Sequence, residues 1–150
     1  MTEEQRLELI LEAVKYCNKV KALGMPVSAY SKALREPIHF LWELRNGNKL
    51  HAAQYRSTKS LNLIFGKGEL RYDHAIPFKY TQNELLKIES PTVSDVREIL
   101  EKLLIVCVIT LEEDQRLTSL GLSGKMPANW DQEDSLARYK FANIEIVKNI

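Results

Sequence analysis

Residues 52–76, AAQYRSTKSLNLIFGKGELRYDHAI, lie between segments of helical pattern, and their reading decides how much sheet the chain carries. Two readings of the first part are open. Ala52 to Phe65 forms a helix stopped by Gly66, since glycine punctuates helices. Alternatively, LNLIF (61–65) and ELRYDHAI (69–76) form two strands joined by GKG (66–68). The helix is the preferred reading, followed by one extended segment from Glu69 to Pro77.

Upstream, the pattern is helical. Thr2 caps a helix whose first turn carries Glu3 and Glu4, favoured by the helix dipole. Leu7, Ile10, Leu11, Val14 and Cys17 then recur at helical spacing and form one apolar stripe. Gly24 and Pro26 supply the stop. A short helix follows around Ser28 to Arg35. Pro37 disfavours helical geometry at Glu36 and suits the first turn of a new helix, PIHFLWELR (37–45), which ends at the turn signal NGN (46–48).

Downstream, TQNE (81–84) has capping-box spacing before LLKI, and SPTVSD (90–95) opens a helix from Val93 to about Leu104. The β-branched run IVCVIT (105–110) predicts a short strand or a tight buried segment. TLEE (110–113) is a second capping box, opening a helix that ends at Gly121. GLSGKMPANWDQED (121–134) has the Gly, Pro and Asn content of a surface loop, SLARYKF (135–141) suits a last helical turn, and NIEIVKNI (143–150) alternates like a terminal strand. The expected architecture is a single globular domain over residues 1–150. Its expected class is α+β and predominantly helical, with about five to six helices and a small sheet.

The chain has 150 residues, enough for one core, and its 45% hydrophobic and 27% charged content is that of a folded domain. The longest uncharged apolar run, LLIVCVITL (103–111), is less than half of what a helix needs to cross a bilayer. The acidic opening MTEEQRLELILEA differs from a signal peptide, so a cytoplasmic location is expected. Cys17 and Cys107 are far apart, form no C-x-x-C pair, and read as buried reduced thiols.

A net charge of +1 hides an uneven distribution. Residues 32–80 carry nine Lys/Arg against four acids, and residues 81–135 carry eleven Asp/Glu against five Lys/Arg. The basic segment also holds seven of the twelve aromatics, which is the combination a nucleic-acid surface uses. Arg56, Lys59, Lys67, Arg71 and Lys79 are the candidate contacts.

SGKM (123–126) fails as a phosphate loop, because Ser119 stands where its first glycine belongs and Met126 follows the lysine. No G-x-S-x-G elbow or H-E-x-x-H zinc helix is present, so histidine catalysis falls to His39, His51 or His74. His74 follows Asp73 at the end of the expected extended segment. This Asp-His pair resembles the signature half of the HNH-type, ββα-metal nucleases. The resemblance implies His74 as general base, Asp73 as ligand to Mg²⁺ or Mn²⁺, and cleavage of nucleic acid as the activity. It covers about ten residues. The family's pattern continues through a second strand with an asparagine and a helix bearing another metal-binding histidine or asparagine. Here no histidine follows His74, Asn83 falls inside an expected helix cap, and Asp95 or Glu98 would have to complete the metal site. Alternation along a strand also offers a plainer reading. Leu70, Tyr72, His74 and Ile76 share one face, making His74 a core histidine, and Arg71 and Asp73 on the other face form a surface pair.

The loop KMPANW (125–130) and the acids after it form a second candidate. Met126 and Trp130 are typical interface anchors, and Asp131, Glu133 and Asp134 complement a basic partner. The alternative is that Trp130 folds back onto the core. Taken together, the sequence favours a small interaction or regulatory protein that binds a macromolecular partner, protein or nucleic acid, without a cofactor. The competing expectation is the metal-dependent nuclease centred on Asp73 and His74.

Overall fold

A computed structural model describes all residues 1–150 and divides the chain into two compact units. The first comprises Met1–Gly47 and Phe78–Lys102, and the second Asn48–Pro77 and Leu103–Ile150. Seven α-helices and a four-stranded sheet give the expected α+β, predominantly helical class. No helix is long and apolar enough to cross a membrane.

The first unit is helical: α1 (Glu3–Ala22), α2 (Val27–Ile38), a π-helical turn (His39–Glu43), α4 (Phe78–Lys87) and α5 (Val93–Leu103). In α1, the Thr2 hydroxyl accepts from the Gln5 amide while the Gln5 side chain accepts from the Thr2 amide. Leu7, Ile10, Val14 and Cys17 are fully buried on the predicted stripe. At the far end Gly24, with φ of 95°, lets Met25 N–H reach the Val20 carbonyl and Gly24 N–H reach that of Lys21, satisfying two orphan acceptors. Arg97 of α5 ties this helix down by pairing with both Glu3 and Glu4.

Two local expectations fail here. Pro37 starts no helix; it sits inside α2, which continues directly into the π-helical turn. Proline removes one helical hydrogen bond, and a widened turn is a common way to absorb that defect. The TQNE spacing is likewise not a cap. Helix α4 starts at Phe78, directly after Pro77, and leaves Thr81 in its interior, fully buried with no partner for its hydroxyl.

The second unit contains α3 (Lys49–Ala52), β1 (Tyr55–Ser57), a 3-10 turn (Thr58–Ser60), β2 (Leu70–His74), β3 (Val106–Thr110), α6 (Leu111–Ser119), α7 (Ala137–Phe141) and β4 (Ile146–Lys148). The strand order is β2-β3-β1-β4. Strand β1 runs parallel to β3 and antiparallel to β4, and β2 runs antiparallel to β3 with Tyr72 opposite Val108. One face of the sheet packs Leu70, Val106 and Val108 with Ala53 and Tyr72. The other packs Cys107 and Ile109 with Ala75, Leu117, Tyr139 and Ile144.

The preferred helix over 52–65 is therefore wrong, and so is the LNLIF strand. The chain at 55–57 is a strand because β3 and β4, some 50 and 90 positions downstream, bond to it on both sides. Its polar side chains are satisfied internally. Arg56, 8% exposed, donates to Ser60 Oγ and to the Ser60 and Leu63 carbonyls. Ser57 Oγ, fully buried, donates to Glu113 Oε1 at 2.5 Å. Glu113 also takes the Thr110 amide at 2.9 Å, completing the predicted capping box of α6. The expected β2, β3, β4 and the last helical turn at α7 are all present.

Two stability outcomes follow from these buried polar groups. Thr81→Val replaces an unsatisfied hydroxyl with a methyl of similar shape and is expected to raise stability by about 1 kcal/mol in urea unfolding. Glu113→Ala leaves Ser57 Oγ and the Thr110 amide without their acceptor and is expected to cost about 2 kcal/mol in the same measurement.

Candidate functional site

Alternation along β2 sends Asp73 and His74 to opposite faces. His74 is half-buried beside Tyr72, their rings edge-on at 5.9 Å, on the face that carries Leu70. Asp73 faces α7. Its Oδ2 accepts from Arg138 Nη1 at 2.9 Å and from the Tyr139 hydroxyl at 2.6 Å. Arg138 is 1% exposed and also donates to carbonyls, from Nε to Leu122 at 2.8 Å and from Nη1 to His74 at 2.9 Å. The expected surface pair between Arg71 and Asp73 does not form; Arg71 instead donates to the Gly68 and Leu70 carbonyls.

This polar knot perturbs its neighbours. Burial, with the Asp73 charge next, pushes the Tyr139 phenol well above its ordinary value, and Arg138 only partly offsets this. Burial and then Asp73 do the same to the Cys107 thiol, leaving it protonated and unreactive. Asp114 on α6 is also raised, by burial and then by Asp73, against the opposing charges of Arg71 and Arg138. The arrangement stores a neutralised carboxylate, an inert thiol and an inert phenol. A cation binding at Asp73 would have to compete with a guanidinium already in place.

The proposed metal partners belong to the first unit. Asp95 Oδ2 accepts from the Thr92 amide and hydroxyl, both at 2.9 Å, at the start of α5, and Glu98 is exposed one turn later. No three His, Cys, Asp or Glu side chains are grouped so as to hold a metal ion.

Of the basic candidates, Arg56 is an internal anchor, its guanidinium bonded to Ser60 and Leu63. Lys59 and Lys67 are exposed on the second unit, Arg71 is half-buried there, and Lys79 is exposed on the first unit, where its ammonium lies 5.8 Å from the Tyr80 ring. Lys59 also borders an open cleft of about 850 Å³ in the second unit, with Thr58, Glu113, Arg116, Lys140 and Glu145. Its walls carry both signs of charge. Arg116 is already committed to the Ala142 carbonyl and Lys140 to Asp134.

The loop after α6 is built inward. Gly121, with φ of 74°, turns the chain so that Leu122 N–H bonds the Leu117 carbonyl, and Leu122 and Met126 are buried. Met126 at 5% exposure is thus a core residue and no interface anchor. Trp130 is half-buried and donates Nε1–H to the Asp134 carbonyl at 2.9 Å. Asp131 Oδ1 accepts from the Glu133 and Asp134 amides, which hold its carboxyl below the ordinary range, and Asp134 bonds the Leu136 amide and Lys140. Only Glu133 is exposed with its carboxylate uncommitted to this turn. Arg138 and Tyr139, the residues that organise the region, went unmarked in the sequence. The signal available was a cation next to an aromatic in the segment read as a last helical turn.

Asp73→Ala leaves a buried guanidinium without its counter-charge and is expected to cost about 3–5 kcal/mol in urea unfolding. A raised phenol pKa means that Tyr139 contributes stability fully below the ordinary tyrosine value, about 10, and loses it as pH rises above that. Tyr139→Phe is therefore expected to flatten the alkaline decline of Tm, measured from pH 8 upward. No protein-family model matches the chain, and the searches of curated proteins and of solved structures gave no significant match.

Proposed function

We propose that the chain works as a binding protein that engages a protein partner through the outer face of α1, without a catalytic centre of its own. The observation that carries this reading is a row of solvent-facing apolar side chains on that helix. Leu9 and Tyr16 are each 48% exposed and Leu23 80%, at seven-residue intervals. Isolated exposed apolar residues are ordinary, but a row along one face of a helix leaves a surface that docking would cover. Nucleic acid has less support as the partner, since Arg56 is buried and Arg71 is bonded to its own backbone. A cytosolic location suits the reading, because reducing conditions keep the two buried thiols free.

The nuclease reading retains one favourable feature, the adjacency of Asp73 and His74 at the end of edge strand β2. Against it stand their opposite faces and the engagement of Asp73 by Arg138 and Tyr139. The two readings separate in a cleavage assay on plasmid, single-stranded DNA and RNA with Mg²⁺, Mn²⁺ or chelator. The expected result is no metal-dependent cutting, with wild type and His74→Ala indistinguishable. Cutting by wild type that disappears in a folded His74→Ala variant overturns the binding reading.

A further inference from the structure

We propose that the partner of α1 is α1 of a second copy of the same chain, packed antiparallel; this rests on the binding reading above and names its occupant. Leu9, Ala13, Tyr16, Val20 and Leu23 follow one another at intervals of four, three, four and three residues. That is the spacing of a two-heptad coiled-coil seam. Leu9, Tyr16 and Leu23 are exposed and Ala13 and Val20 half-exposed, so the seam runs beside the stripe of Leu7, Ile10, Val14 and Cys17 that the unit already buries.

Direction follows from size and charge. In the antiparallel pairing, Leu9 of one copy meets Val20 of the other, and the small Ala13 meets the large Tyr16, twice over. Large against small is how helix layers fill space without voids. A parallel pairing would instead set Tyr16 against Tyr16 and Ala13 against Ala13, crowding one layer and hollowing the other. The flanking positions agree. Glu12 and Lys19 border the same side of the seam, and antiparallel packing brings Glu12 of each copy beside Lys19 of the other. The parallel arrangement would offer those residues Cys17 and Gly24, which carry no charge. Within one copy Glu12 pairs with Lys15 at 3.3 Å, with both side chains more than half exposed, a weak contact that leaves it able to turn. The first half of α1 is net acidic (Glu3, Glu4, Glu8 and Glu12 with Arg6) and the second half basic (Lys15, Lys19 and Lys21), which adds the same preference, although Glu3 and Glu4 already pair with Arg97.

The test is sedimentation of the full chain across concentrations reaching the millimolar range, with Tm recorded for every variant. Wild type is expected to show a monomer–dimer equilibrium, and Tyr16→Glu to be monomeric. Glu12→Lys or Lys19→Glu alone is expected to weaken association roughly fivefold to tenfold, since each places two like-charge contacts in the dimer. The double variant Glu12→Lys/Lys19→Glu is expected to recover it. A dimer indifferent to Tyr16→Glu, or a double reversal that recovers nothing, overturns the proposal. A wild-type monomer whose Tyr16→Glu variant keeps its Tm overturns the self-pairing alone. A fall of Tm in that monomer shows the stripe to be covered by the chain itself, and removes the binding reading as well. Should Tyr16→Glu fail to fold, the reversals at exposed Glu12 and Lys19 still decide the matter.

Discussion

A guanidinium taken out of water must be paired, and Arg138 is almost wholly out of water. Its partners come from two places in the second unit: the Asp73 carboxylate and the His74 carbonyl at the end of an edge strand, and the Leu122 carbonyl just past α6. One side chain thereby fixes where β2 ends, where the loop after α6 begins and how α7 lies between them. The cost of burying the charge is offset only while all these acceptors stay in place. That is why Asp73 serves the fold before it can serve any chemistry.

The same economy recurs nearby. Arg56 and Glu113 are charged residues at interior positions, each closing a local backbone feature. Arg56 gathers the carbonyls of the turn after β1, and Glu113 caps α6 while receiving the hydroxyl of Ser57 across 56 residues of chain. Part of the charge that looks in sequence like a nucleic-acid or partner surface, Arg56 and Arg71 among the basic residues, is engaged with the protein's own backbone. The turn that Asp131 and Asp134 stabilise by bonding amides and Lys140 belongs to this group too. Lys59, Lys67, Lys79 and Glu133 stay exposed, as do the apolar side chains of Leu9, Tyr16 and Leu23 along α1 and its C-cap.

Some of this was legible residue by residue. The cap at Thr2, the capping box at Thr110, the glycine stops at Gly24 and Gly121, the apolar stripe of α1 and the β-branched run of β3 depend on neighbours within a few positions. Helical periodicity and cap chemistry read such features directly. The errors came where local signals competed with distant partners. TQNE has perfect capping spacing, yet the turn begins earlier because Pro77 and buried Phe78 set the start. Pro37 looked like a boundary, but a widened turn absorbed it. Met126 looked like an exposed anchor in a polar loop, and the burial of Leu122 beside it drew the loop inward. His74 and Asp73 were correctly assigned to opposite faces by alternation alone, while the partner of Asp73 was misassigned to Arg71, two residues away, instead of Arg138, 65 residues on.

The sequence by itself determined the helices that carry their own caps and stripes, the α+β class and the buried, β-branched character of residues 105–110. These need only local backbone preference and one buried face. The tertiary structure alone decided that residues 55–57 are a strand between β3 and β4, that Arg56 and Arg138 are interior, and that Asp73 is neutralised. The physical reason is that a three-residue strand has no stability of its own and a buried charge has no local signature. The strand exists because chain some 50 and 90 positions downstream supplies its ladder. Arg138 is held by a carboxylate 65 residues back, whereas Arg56 finds its acceptors only in its own turn, once that turn is folded.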